Sequence, residues 1–148
     1  MKSNLSSIKR AYLAGFLDGD GSIYVRAKPN STYRYGFQVA PAIILFQSAK
    51  DRSKFEEICS LINLGYIRTR KDGILEYTIN KIDNILEFIS IVEPFVILKR
   101  KQVTLMKQII GQKRKIEQQS DFAALLKLID SFRELNYSKK RKIRTLTP

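Results

Sequence analysis

The residues best placed for chemistry are two carboxylates set among three glycines, in Leu13-Ala14-Gly15-Phe16-Leu17-Asp18-Gly19-Asp20-Gly21. The stretch begins as a helix, with Ser6 and Ser7 as candidate N-caps ahead of Ile8. Gly15 and Gly19 are four apart, so they lie on one face of that helix. Each costs roughly 1 kcal/mol of helix propensity relative to alanine. A helix that carries both is expected to need close backbone approach there. Asp20 is in conflict with its place, because a helix C-terminus carries partial negative charge and repels a carboxylate. A cation would relieve that conflict.

The elements around this stretch must explain the glycines and supply a substrate. Of 148 residues, 27 are basic and 14 acidic, a net charge of +13. That balance marks a polyanion binder, with nucleic acid first and an anionic membrane surface second. No apolar run approaches the roughly 18 residues of a membrane span, and Met1–Ser7 lacks the apolar centre of a secretory signal. One cysteine and no histidine exclude an internal disulfide and a zinc finger. Acid–base chemistry is left to carboxylate, lysine, metal-bound water or solvent. The length fits one domain, 1–148.

Periodicity orders the rest. A helix over 8–20 is followed by alternation in which Ile23, Val25 and Ala27 face one way and Ser22, Tyr24, Arg26 and Lys28 the other, a half-buried strand. Pro29-Asn30-Ser31 is a turn signal. A second strand runs from about Tyr35 to Gln47, with Pro41 marking a bulge or an edge. Phe37, Val39, Ile43 and Leu45 point one way, and Gln38, Ala40, Ala42, Ile44 and Phe46 the other. Ser48–Asp51 open a helix with Phe55, Ile58, Cys59 and Ile62 on one stripe, which makes Cys59 a packing residue. Tyr66–Arg70 alternates again, Lys71-Asp72-Gly73 reads as a hairpin turn, and the return strand turns Leu75, Tyr77 and Ile79 inward and Glu76, Thr78 and Asn80 outward. Ile82, Ile85, Leu86 and Ile89 mark a helix stopped by Pro94. Two further helices are expected over 99–118 and 121–135, the second capped by Ser120 or Asp121. The basic run Lys139-Lys140-Arg141-Lys142-Ile143-Arg144 is either a solubilising tail or a phosphate clamp. The sheet has one apolar face, which helices must cover, and one basic face left for a ligand.

The nonapeptide resembles the signature of the LAGLIDADG homing endonucleases, with Phe16, Leu17 and Gly19 as conservative departures. The order of elements is similar to that family's αββαββα core. The resemblance implies an α+β fold with an antiparallel, saddle-shaped, DNA-binding sheet and C-terminal helices. It extends to the single-motif members of algal organelles, which act as homodimers. Gln38, Gln47, Gly65-Tyr66, Arg68, Arg70, Pro94-Phe95 and Lys99-Arg100-Lys101-Gln102 sit where that subfamily has similar residues.

A strand of about 10 residues is about 33 Å long, close to one turn of B-DNA. A two-stranded ribbon fits the major groove, so one subunit could read a half-site of about ten base pairs. Side-chain chemistry suits Arg26, Arg68 and Arg70 to guanine, Lys28 to guanine or phosphate, Gln38 and Asn30 to adenine, and Glu76 to cytosine. Ala40, Ile44 and Thr78 suit thymine methyls, and Tyr24 and Tyr33 offer a hydroxyl or a ring edge. Lys139 and Lys142 would add phosphate contacts.

With one motif per chain, the partner helix must come from a second chain. Packing Tyr12, Gly15 and Gly19 against their symmetry mates brings two Asp20 carboxylates together. Like charges that close call for a hard divalent cation, above all Mg²⁺, with Mn²⁺ expected to substitute. Asp20 is the expected ligand, assisted by the Gly19 carbonyl, and Asp18 is expected to cap or pack. The resemblance implies metal-dependent hydrolysis of both DNA strands of a near-palindromic target, leaving 3′ overhangs, in the service of intron homing. It also implies that Gln47 orients water and that Lys99 lies near the scissile phosphate. The subfamily's other basic residue is expected four positions after Gln47, where this chain has Asp51. Arg52 or Lys50 is expected to stand in. An organelle setting is implied too, a chloroplast before a mitochondrion. Neither a membrane nor a small-molecule substrate is expected. The rival readings are an RNA maturase aiding group I intron splicing and a non-catalytic DNA-binding regulator.

Overall fold

The computed structural model describes residues 4–136 and 146–147. Five helices and four strands follow in the order α1 (Ser7–Asp20), β1 (Gly21–Pro29), β2 (Phe37–Ser48), α2 (Arg52–Ile62), β3 (Tyr66–Thr69), β4 (Ile74–Ile79), α3 (Ile82–Val92), α4 (Arg100–Lys113) and α5 (Gln119–Leu135). The order and class are those expected. The strands form one sheet in the order β1-β2-β4-β3. β4 runs antiparallel to both neighbours: Ile43 faces Ile79 and Ser48 faces Ile74 across β2–β4, and Arg68 faces Glu76 across β3–β4. Pro41 precedes the stretch of β2 paired with β4, so its missing N–H interrupts no bond of that ladder.

The residues group into two compact units, 1–23 with 42–100 and 24–41 with 101–148. In the first, α1 starts where Ser6 accepts a hydrogen bond from the Lys9 amide (3.2 Å) and buries Leu13, Ala14 and Leu17. α2 buries Phe55, Cys59 and Ile62, and α3 buries Ile85, Phe88 and Ile89. Leu75, Tyr77 and Ile79 of β4 turn inward as their alternation requires. Burial pushes the Cys59 thiol up to about 12, with Glu56 adding to it, so the group is neutral packing at physiological pH. The Tyr77 hydroxyl accepts from the Leu64 and Gly65 amides, each at 2.8 Å, and so ties the α2–β3 turn to the sheet. Gly65 has no room for a side chain there: a Cβ would lie 2.1 Å from the Thr78 carbonyl oxygen.

In the second unit, α4 and α5 bury Val103, Met106, Ile109, Phe122, Leu125 and Ile129. α4 stops at Lys113, short of the expected 118. The cause lies downstream, where the Asp121 carboxylate accepts from the Glu117 and Gln118 amides and holds them extended ahead of α5. Gln118, rather than Ser120 or Asp121, is therefore the cap, and Asp121 completes the capping box from the third helical position. No helix among the described residues is long and apolar enough to cross a membrane.

Candidate active site and nucleic-acid face

Asp18 and Asp20 end the same helix in opposite conditions. Asp18 is half-buried, and its two carboxylate oxygens accept from three successive amides, Ile97 (2.8 Å), Leu98 (3.1 Å) and Lys99 (3.1 Å). Lys99 returns the bond, donating its Nζ to the Asp18 carbonyl at 2.9 Å. Asp18 thus caps a segment 79 to 81 residues away, as its expected structural role required. Asp20 is exposed, and no donor among the described residues holds its carboxylate. It is an oxygen donor at the negative end of a helix, an arrangement that favours a cation. Gly19 is exposed in the same last turn, where the helical ladder leaves carbonyls without intrahelical partners.

The glycine face is open. A Cβ at Gly15 or Gly19 would meet nothing within 4 Å. Neither residue serves packing among the described residues of its own chain. Along the same stripe Ile8 is 83% and Tyr12 56% exposed. Ile97 and Leu98, whose amides Asp18 holds, are 77% and 75% exposed. Sequence reasoning missed this apolar pair. Its signal was two large aliphatic residues between Pro94 and a cluster of cations, on no periodic pattern that would bury them.

The expected helpers divide. Lys99 reaches the motif. Gln47 stands at the end of β2, its Oε1 accepting from the Ser48 amide at 2.9 Å. Arg52 donates its guanidinium to the Thr69 hydroxyl on β3. Thr69 and Gln47 flank Leu75 on opposite sides, which puts two strand spacings between them. Asp51 and Lys50 are exposed in the turn before α2.

On the recognition face of the first unit, Arg68 and Glu76 form an ion pair at 2.6 Å, directly opposite each other across β3–β4. Glu76 is only 8% exposed, so it holds Arg68 and is not a free acceptor for cytosine. Arg68 itself stays largely open to solvent. Ile44 is a second correction. Ala42–Leu45 are all buried, and Ile44 at 7% exposure offers almost no surface to a thymine methyl. Thr78 opposite it is half-buried. Arg70 is exposed and paired with Asp72 at 2.6 Å.

On the second unit, Arg26 and Lys28 are exposed, with the Arg26 guanidinium 4.9 Å from the Tyr24 ring centroid. The two share one face of β1, as their spacing predicts. Gln38 and Ala40 are half-buried and Tyr33 is exposed. Asn30 spends its Oδ1 on the Thr32 amide and hydroxyl, which leaves its Nδ2 for a base. Arg34, exposed beside Tyr33, is a cation the sequence reading passed over. Lys139 and Lys142 lie outside the described residues.

Residues 13–110 match the LAGLIDADG endonuclease family. The chain is 34% identical over 132 residues to the DNA endonuclease I-CreI of Chlamydomonas reinhardtii, covering 88% of this chain and 80% of that one. It is 30% identical over 139 residues to the DNA endonuclease I-CvuI of Chlorella vulgaris, covering 92% and 84%. The fold superposes on I-CvuI in complex with its target in the presence of 2 mM Ca with a TM-score of 0.84, covering 93% of this chain and 87% of that one. I-CvuI on the I-CreI target, with 2 mM Mg and the DNA not cleaved, gives the same score at 92% and 87% coverage. An archaeal intron-encoded homing endonuclease, I-Vdi141I, shares the fold at 22% identity and a TM-score of 0.74. With its motif helix, its sheet and most of its length matched in this way, the chain belongs to the LAGLIDADG endonuclease family.

Proposed function

We propose that the protein is a homodimeric, divalent-metal-dependent, site-specific DNA endonuclease that cuts both strands of a long near-palindromic target. The observation that carries this reading is the free Asp20 carboxylate at the end of an open glycine face. That face fits a second copy of α1, and a two-fold axis through it would set two Asp20 carboxylates side by side. Among the described residues of one chain, no three His, Cys, Asp or Glu side chains cluster around a metal position. The partner's Asp20 and phosphate oxygens of the DNA would complete the donor set.

The residues present fit such a cation: Asp20 would hold it, with the Gly19 carbonyl beside it. When bound, the metal supplies an activated water and charge stabilisation for the leaving 3′ oxygen. Lys99, held by its bond to the Asp18 carbonyl, places a positive charge beside the motif for the phosphate. Gln47 is the residue to orient water, once its amide leaves the Ser48 amide. Arg26, Lys28, Tyr33, Gln38, Arg68 and Arg70 would fix the position on the duplex and read it. Mg²⁺ is the working metal in this proposal and Mn²⁺ its substitute. The products would carry 3′ overhangs, and the setting would be an organelle intron, in a chloroplast before a mitochondrion.

The test is selection of duplexes from a near-palindromic library, followed by cleavage assays with Mg²⁺ and binding assays with Ca²⁺. Asp20→Asn is expected to lose cleavage by a factor of a thousand or more while keeping its affinity, on the order expected when a metal centre is removed. Specific binding with no cutting by the wild type in Mg²⁺ or Mn²⁺ would refute the nuclease and favour a regulator. Selective binding of RNA would favour a maturase.

A further inference from the structure

The loop between β1 and β2, residues 30–36, is built from two successive turns. Tyr33 donates its amide to the Asn30 carbonyl (3.1 Å), Gly36 donates to Tyr33 (3.0 Å), and Asn30 closes the loop onto Gly36 (2.9 Å). Tyr33 and Arg34 are exposed and Tyr35 is buried, with the Arg34 guanidinium 5.2 Å from the Tyr35 ring centroid. A cavity of about 330 Å³ lies between Tyr33–Tyr35 and Lys113, Ile116 and Phe122. The Tyr35 hydroxyl is buried there with no partner among the described residues. One ring stack, Tyr35 on Phe122 at 5.2 Å, joins the loop to α5.

Hydrogen bonds from Thr147 hold the loop from its other side. Its hydroxyl donates to the Arg34 carbonyl at 2.9 Å, and its amide donates to the Tyr35 carbonyl at 3.2 Å. Its own carbonyl accepts from Gln119 Nε2, in the first turn of α5, at 3.0 Å. Its methyl group lies against Gly36, where a Cβ would come within 3.3 Å of it and where φ is +84°. A left-handed glycine and a threonine methyl thus occupy space that a side chain at position 36 would need. Residue 147 is tied at one end to α5 and at the other to the two carbonyls that bracket the outward side chains.

We infer that Thr147 is a specificity-determining positioning residue: it holds the 30–36 loop so that Tyr33 and Arg34 meet the outer base pairs of each half-site in one geometry. The inference rests on the DNA-recognition reading above. Contacts made from a loop discriminate between bases only when the loop is pre-organised; a loop that moves keeps its charge and loses its selectivity. Thr147 touches neither the reacting phosphate nor the metal ligands, so its removal leaves the chemical step alone.

The experiment profiles the wild type, Thr147→Val, Thr147→Pro and Thr147→Ser on the same randomised duplex library, reading base preference at each position along with the single-turnover cleavage rate and Tm. Val removes the hydroxyl, Pro removes the amide donor, and Ser restores the hydroxyl. The expected result is a loss of discrimination at the outermost base pairs of about fivefold or more, the lower end of what one good base contact carries. Central preferences, the cleavage rate and Tm should stay unchanged, and Ser should recover the wild-type profile. A Val and a Pro variant as selective as the wild type would overturn the inference, and so would a uniform loss at every position. A wild type with no sequence preference at all would instead overturn the DNA-recognition reading on which the inference rests.

Discussion

Asp18 and Asp20 are two residues apart and share a chemistry, yet they have different jobs. Three amides occupy most of the acceptor capacity of Asp18, so a cation would compete with them. Asp20 has no such donors among the described residues. The division was legible in the sequence, because a carboxylate at the last position of a helix has no backbone donor to satisfy it. Glu76 shows what was not legible. Alternation placed it outward, but its partner depends on the β3–β4 register, which sets Arg68 directly opposite. The bond from Arg52 to Thr69 was hidden for a similar reason, since adjacency to Asp51 says nothing of which strand end its long side chain will reach. A further residue earns a prediction. Tyr77 satisfies two part-buried amides with one hydroxyl, so Tyr77→Phe removes the partner of both. Urea denaturation should show a loss of about 0.5–1.5 kcal/mol per lost hydrogen bond and an otherwise cooperative transition.

Among the elements, α1 is unusual in having one face packed and one bare. Leu13, Ala14 and Leu17 face the core, while Gly15 and Gly19 face open space. The glycines were readable as a close-approach face, whereas Ile97 and Leu98 became visible only once Asp18 was seen to hold their segment. Gly15→Leu should fold normally, because a Cβ there would meet nothing within 4 Å among the described residues, and should lose the dimer. Leu98→Asp should do likewise. Sedimentation velocity would show a monomer with unchanged far-UV circular dichroism; dimers of undiminished stability in both variants would put the subunit contact elsewhere. Strand and helix periodicity located nearly every element, but the end of α4 depended on the capping bond of Asp121, a contact between a side chain and a backbone that no period encodes.

At the scale of the molecule, a net charge of +13 dominates its behaviour toward DNA. Each phosphate neutralised releases counterions, so binding must weaken steeply with salt. A dimer making six to ten phosphate contacts should lose about 10³–10⁵ in affinity between 50 and 200 mM salt. Fluorescence anisotropy across that range would show it, and a shallow slope would mean that the basic face is not the binding face. The total charge was readable from composition. The burial of Ile44, on the face expected to meet the duplex, was not, because it follows from how neighbouring strands and side chains cover that part of β2.

The clasp between Asp18 and residues 97–99 has a dynamic consequence. Ile97 and Leu98 display their side chains to solvent while their amides are bonded to a carboxylate that belongs to the motif helix. In hydrogen–deuterium exchange these amides should be protected, against the expectation for so exposed a segment. They should open only with the end of α1. In Asp18→Ala their protection should vanish, and the grip on Lys99 should loosen with it. The exposed aliphatic pair and Lys99 would then lose their order in a single local event.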